Sequence, residues 1–218
     1  MQAEKTNGYL VLNTGTPDEP TIPALRRYLK QFLSDPDMLD YPATEPVESS
    51  KGFDVIKHKI ASVIRWGIVN LIVVPFRPSK IINKYKGIWT EEGSPLLVNT
   101  EKFVKKLKKY TNGNIEIGMR YGNPSIEHGI RKLMENGTDK LFLVSMFPQY
   151  AEATSGSTFR EVYKVLDELD YHPEIVKIEH YYSEEFYLKA FADSVMNSKE
   201  YKESEYLLFS FHGLPVRQ

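Results

Sequence analysis

From residue 115 onward the chain alternates short apolar runs with amphipathic stretches, and this rhythm limits the fold more than any other feature. Ile115–Met119, Lys140–Phe147, Glu174–Ile178 and Tyr206–Phe211 read as strands. Ile126–Asn136, Ser157–Leu169 and Glu184–Asn197 read as the helices between them. Strands separated by helical segments of about 10–15 residues are joined by crossovers, and the resulting sheet is parallel. Tyr9–Asn13, ended by Thr14-Gly15-Thr16-Pro17, adds an earlier buried strand. Ile22–Leu33 reads as a helix behind Pro20 and Thr21, with apolar residues at helical spacing from Ile22 through Leu25, Tyr28, Leu29 and Phe32 to Leu33. Helices are also expected over Asp54–Val74, Ser79–Trp89 and Thr100–Tyr110, and a long loop over Ser34–Gly52. The fold class is therefore α/β.

Composition narrows the function classes. With 41% hydrophobic and 26% charged residues the chain is globular, not disordered. A formal net charge of -1 argues against a nucleic-acid binder driven by phosphate contacts. The absence of cysteine excludes disulfides, zinc thiolates, cysteine-ligated iron–sulfur clusters and a cysteine nucleophile within these residues. Met1–Asn7 is short and polar, so no signal peptide is expected. Ile60–Phe76 is the most apolar stretch, but Arg65 and Asn70 interrupt it, and it is too short and polar for a transmembrane span. Two readings stand side by side for it: a buried helix, or an apolar lip (Ile68, Val69, Leu71, Ile72, Val74) that touches a membrane.

Ligands of open parallel sheets bind beyond the carboxyl ends of the strands. Those ends carry Asn13–Pro17, Arg120-Tyr121-Gly122-Asn123-Pro124, Pro148-Gln149-Tyr150 with Thr154-Ser155-Gly156-Ser157, His180-Tyr181-Tyr182, and His212-Gly213-Leu214-Pro215. Neither a P-loop nor a G-x-G-x-x-G turn is present. Thr154–Ser157 opens a helix and reads as a plain N-cap before it reads as an anion site. His212 is the foremost candidate for proton transfer. It follows an apolar strand, and Gly213 leaves it room to face a cleft. An imidazole with its ordinary pKa of about 6.5 accepts protons at neutral pH. The competing reading is a structural histidine held by a backbone hydrogen bond. His58, His128, His172 and His180 are weaker, and no H-E-x-x-H or H-x-x-E-H motif occurs.

Six strings along the chain resemble ferrochelatases, in the order of that family. They are Leu12–Pro17; Arg26-Arg27-Tyr28-Leu29 with Phe32-Leu33-Ser34-Asp35-Pro36; Gly93-Ser94-Pro95-Leu96; Met119–Pro124; Pro148-Gln149-Tyr150 with Ser155-Gly156-Ser157; and Ser210-Phe211-His212-Gly213-Leu214-Pro215. The resemblance implies two Rossmann-like halves around a porphyrin cleft. The first would occupy residues 1–198, with a porphyrin lip, and the first strand of a second, incomplete domain would occupy 199–218. It also implies an enzyme inserting ferrous iron into protoporphyrin IX to give protohaem, cytoplasmic or peripheral at a membrane. The alternatives are iron insertion into coproporphyrin, another tetrapyrrole chelatase, and a non-catalytic truncated porphyrin or haem binder.

By residue, the resemblance implies that His212 removes pyrrole protons or receives the metal. It implies that Arg120 and Tyr121 line the porphyrin pocket, and that Thr14 faces the histidine across the macrocycle. Tyr181 falls where relatives can carry a tryptophan, and Tyr28, Phe32 and Met38 fall on the apolar lip. Thr14 replaces a larger residue common at its position. Glu152 stands where iron–sulfur relatives have their first cluster cysteine, so no cluster and no tightly bound cofactor is expected, and iron is a substrate. The family continues for roughly another third, which would carry the acidic partner of His212. The chemistry fits a flat apolar disc with two carboxylates, which calls for aromatic walls, a basic rim and a central base.

Overall fold

The computed structural model describes residues 5–38, 63–64 and 66–213. Most of the expected loop 34–52, the first part of the expected helix 54–74, and Leu214 and Pro215 lie outside the described residues. Four strands, β1 (Asn7–Thr16), β2 (Asn114–Gly122), β3 (Lys140–Ser145) and β4 (Glu174–Ile178), form one parallel sheet in the order β2-β1-β3-β4. The helices are α1 (Ile22–Ser34), α2 (Val74–Ile88), α3 (Pro95–Leu107), α4 (Ile126–Glu135), α5 (Ser157–Glu168), α6 (Glu185–Met196) and α7 (Lys199–Glu203). The α/β reading holds, and four of the five expected strands are present.

β1 is central, with Leu10, Val11 and Leu12 all at 0% exposure. Consecutive strand residues point to opposite faces, so an unbroken buried run requires cover on both sides. On one face Leu10, Leu12, Leu141 and Leu143 pack against Ile126, Ile130 and Leu133 of α4 and Phe159, Val162 and Leu166 of α5. On the other, Val11 and Ile115 pack with Val104 of α3, flanked by Phe103 and Leu107. A third cluster sits at the carboxyl ends of β1 and β2. There Leu25, Tyr28, Leu29 and Leu33 of α1 meet Val69, Val74 and Ile82 of the neighbouring helical segment, together with Tyr121.

Local chemistry sets the helix ends. Thr21 caps α1 by accepting from the Ala24 N–H at 3.4 Å, and Ser125 caps α4 by accepting from the His128 N–H at 3.1 Å. Pro75 and Pro78 have no amide N–H to give to a helical ladder. The chain enters α2 through a π-helical turn, Ile68–Val73, with the Val74 N–H donating to the Val69 carbonyl. This region divides the two readings of the apolar stretch. Val69 and Val74 are buried, whereas Leu71 and Ile72 are exposed at 65% and 59%. Trp66 and Phe76 are also exposed. Among the described residues no helix is long and apolar enough to cross a membrane.

The fifth expected strand, Tyr206–Phe211, is absent. Among the described residues they pair with no strand, and Tyr206, Leu208 and Phe211 are 86–90% exposed. A strand needs a neighbour for its backbone groups and cover for its apolar side chains, and here neither is supplied. α6 likewise buries none of its residues.

Candidate functional site

Gly15 brings β1 to the site. Its φ of +100° lies in the left-handed region, and a Cβ there would fall 1.8 Å from the Tyr121 carbonyl oxygen. Only glycine lets β1 and β2 stay paired to their carboxyl ends, Gly15 beside Tyr121 and Thr16 beside Gly122. Thr14 is half-buried just before this turn, its N–H donating to Asn13 Oδ1 at 2.8 Å. Thr16 and Ser94 share a buried hydroxyl hydrogen bond of 2.8 Å, which joins the Thr14–Pro17 and Gly93–Leu96 strings.

Three other strings meet at one carboxylate. Asp35, immediately after α1, is 5% exposed. Its Oδ2 accepts from Arg120 Nη2 at 2.6 Å, Tyr121 Oη at 2.6 Å and Ser157 Oγ at 2.5 Å. Its Oδ1 accepts from the Asp37 N–H at 2.9 Å. Arg120 Nε donates to Ser157 Oγ at 2.8 Å, Nη1 lies 3.2 Å from Glu161 Oε2, and the guanidinium lies 4.8 Å from the Tyr121 ring centre. Burial works against ionisation of Asp35, but the hydrogen bonds from Ser157, Tyr121 and the Asp37 amide, with the Arg120 charge, outweigh it and hold the carboxyl below its ordinary range. Burial, then the bond to Asp35, pushes the Tyr121 phenol up, so it remains a donor.

A second link lies alongside. Arg160 bridges Asp37 and Glu152, with contacts of 2.6 Å to each, and Tyr150 Oη donates to Glu152 Oε1 at 2.9 Å. The hydrogen bond from Arg160 holds the Glu152 carboxyl below its usual range. Asp35 and Asp37 thus fasten the end of α1 to Ser157 and Arg160, one turn apart on α5. This corrects the reading of Thr154–Ser157 as an N-cap. A π-helical turn, Glu152–Gly156, leads straight into α5, the Thr154 and Gly156 N–H groups donate to the Ala151 carbonyl, and the Ser157 hydroxyl serves Asp35 instead.

Above Tyr121 stands an aromatic wall. Phe32 packs edge-on to Tyr121 at 5.2 Å and stacks with Tyr28 at 5.8 Å, and Met38 packs on the same cluster. The Tyr28 hydroxyl donates to the Gly15 carbonyl at 3.4 Å, and burial pushes its phenol up. A cleft of about 460 Å³ opens beside Asp35, lined by Gln31, Arg120, Tyr121, Glu161, Lys164 and Glu168 among others. Tyr28, Phe32, Met38, Arg120 and Tyr121 are therefore brought together. Tyr181 and His212 are not part of this cluster. Tyr181 is half-buried past β4, its N–H donating to the Pro148 carbonyl at 3.0 Å and its ring meeting Tyr187. His212 is exposed and makes no hydrogen bond or ion pair among the described residues. Among those residues no group of three or more metal-binding side chains converges. The sequence strings contain Asp35 and Ser157 but point to no role for either. A short Ser-Asp-Pro at a helix end was the signal available, but it names no partner.

Comparisons with known proteins agree on one family. The ferrochelatase family model matches residues 6–218. The chain is 37% identical over 212 residues to ferrochelatase of Coxiella burnetii (strain RSA 493 / Nine Mile phase I), covering 96% of this chain and 53% of the relative. It is 33% identical over 221 residues to ferrochelatase of Vibrio parahaemolyticus serotype O3:K6, covering 100% and 62%. It is 38% identical over 220 residues to ferrochelatase of Chromobacterium violaceum, covering 98% and 55%. The chain thus spans 53–62% of the length of these curated relatives. A match across nearly all of its residues, resting on a parallel sheet whose carboxyl edge gathers five of the six matching strings, means that this chain belongs to the ferrochelatase family.

Proposed function

We propose that the protein inserts ferrous iron into a porphyrin, protoporphyrin IX with protohaem as product, and that residues 1–198 supply one wall of the tetrapyrrole cleft. Residues 199–218 would begin a second domain. The observation that carries this reading is the convergence of Tyr28, Phe32, Met38, Arg120 and Tyr121 at the carboxyl edge of the sheet. Aromatic and thioether side chains suit the flat face of a macrocycle, and a guanidinium suits a carboxylate at its rim. Thr14, half-buried at the same edge, would face the macrocycle, and Tyr181 would contact it from beyond β4.

The reaction exchanges one ferrous ion for two pyrrole protons. His212 would accept protons from the macrocycle or receive the metal, since a neutral imidazole can do either. Iron enters as substrate, and no cluster or bound cofactor is required. At Glu152 the side chain is a carboxylate engaged by Arg160 and Tyr150, which supports a reading without an iron–sulfur cluster.

The protein would work in the cytoplasm, against a membrane. From Trp66 to Ile88 the chain has four basic residues (Arg77, Lys80, Lys84, Lys86) and no acidic one, beside exposed Trp66, Leu71, Ile72 and Phe76. An apolar tip with a basic flank favours peripheral contact with an anionic bilayer. The test is an anaerobic assay of ferrous iron insertion. A chain extended to the length of the relatives should turn over, and these 218 residues should bind porphyrin with a Soret shift but insert iron far more slowly. Absence of porphyrin binding by both would overturn the reading.

A further inference from the structure

Arg120 has five N–H donors and no acceptor, so its orientation is set by what receives them. Nε goes to Ser157 Oγ and one Nη2 hydrogen to Asp35. Even with an Nη1 hydrogen granted to Glu161, 3.2 Å away, two of the five remain uncommitted among the described residues. The Arg120 side chain is 18% exposed and that of Asp35 only 2%. The carboxylate is therefore the anchored end of the pair, and the guanidinium is the end that reaches the cleft.

The charges near Arg120 sharpen the point. Asp35 and Glu161 offset Arg120 and Lys164, with Lys164 Nζ 3.4 Å from Glu161, and Glu168 adds a further negative charge at the wall. Arg120 thus does not present a free positive charge to a ligand. What it can offer is direction: N–H groups held in one plane by Asp35 and Ser157 and backed by the Tyr121 ring.

We infer that Asp35 is the positioning residue of the tetrapyrrole site: its carboxylate fixes the Arg120 guanidinium and the Tyr121 hydroxyl together, so that the remaining Arg120 N–H groups select a macrocycle bearing free carboxylates. The inference rests on the proposed tetrapyrrole reading and deepens it. It also accounts for three separate strings of the sequence, Phe32–Pro36, Met119–Pro124 and Ser155–Ser157, through one buried carboxylate whose partners lie 85, 86 and 122 residues away in sequence.

The test compares the affinity of the chain for mesoporphyrin and for its dimethyl ester by fluorescence titration, alongside thermal melting. The unaltered chain should favour the diacid. Asp35→Asn keeps the shape but cannot accept all three bonds at Oδ2, and should cut that preference by about tenfold, the worth of one hydrogen bond to a charged group. Its affinity for the ester should change little. A merely structural role would weaken both ligands alike. If Asp35→Asn does not fold, Ser157→Ala decides. It removes one donor to Asp35 and the acceptor for Arg120 Nε, and should lower the preference by about threefold, a smaller share of the same bond energy. A folded Asp35→Asn, or failing that a Ser157→Ala, with the unaltered preference overturns the inference and leaves the tetrapyrrole reading standing. An unaltered chain that binds neither porphyrin overturns that reading and the inference with it.

Discussion

Tyr121 and Asp35 stand 86 residues apart in sequence, yet the Tyr121 hydroxyl donates to the Asp35 carboxylate at 2.6 Å. The same oxygen receives Arg120 and Ser157, so one buried group ties the end of α1 to the end of β2 and the start of α5. Removing it strands a guanidinium, a phenol and a serine hydroxyl at once. Asp35→Ala should cost about 3–5 kcal/mol of stability, the range for breaking a buried ion pair by deleting one partner. Urea denaturation checks this. A loss below about 1 kcal/mol, the size expected of a surface pair, would mean that the network contributes little.

Acid should act through the same group. The folded-state pKa of Asp35 lies below that of the unfolded chain. Its contribution is therefore fully present above the unfolded carboxyl value of about 3.9 and fades as pH falls through the folded value. Urea midpoints measured between pH 6 and pH 2.5 should drop more steeply for the unaltered chain than for Asp35→Asn. Parallel curves would assign acid sensitivity to other carboxylates.

The apolar segment before α2 separates membrane contact from packing. Leu71→Asp with Ile72→Asp should leave the melting temperature nearly unchanged and weaken flotation with anionic vesicles, because both side chains are already exposed. Val69→Asp places a charge at a site with 0% exposure and should unfold this part of the chain instead. Flotation that survives the double change would favour a lip with no membrane role.

His212 offers the clearest split between chemistry and structure. It is exposed and unbonded among the described residues, so His212→Ala should not alter the stability of these residues. In a chain extended to the length of the relatives it should lower iron insertion by about 100- to 10,000-fold while porphyrin still binds, as expected on losing a general base. Near-normal turnover would remove His212 from the mechanism.

Much of this was legible in the sequence because the signals are local. Apolar runs and helical spacing place β1 to β4 within about three residues and α1, α4, α5 and α6 within about one, whereas α2 and α3 start at Val74 and Pro95, ahead of the expected Ser79 and Thr100; the strand–helix rhythm makes the sheet parallel. The positions of Tyr28, Phe32, Arg120 and Tyr121 at the carboxyl edge follow from strand ends and from family strings. Tyr206–Phe211 shows where local pattern fails. Its apolar run has strand character, but a strand exists only with a neighbour, and pattern alone cannot say whether one is there. The function of Asp35 was equally out of reach. A carboxylate at a helix end has many possible partners, and only the landing of α1 against β2 and α5 decides that water is excluded and that Arg120, Tyr121 and Ser157 fill its lone pairs. Periodicity is written along the chain and selects the elements. The charge network is written across it, and desolvation at the point of contact selects its members.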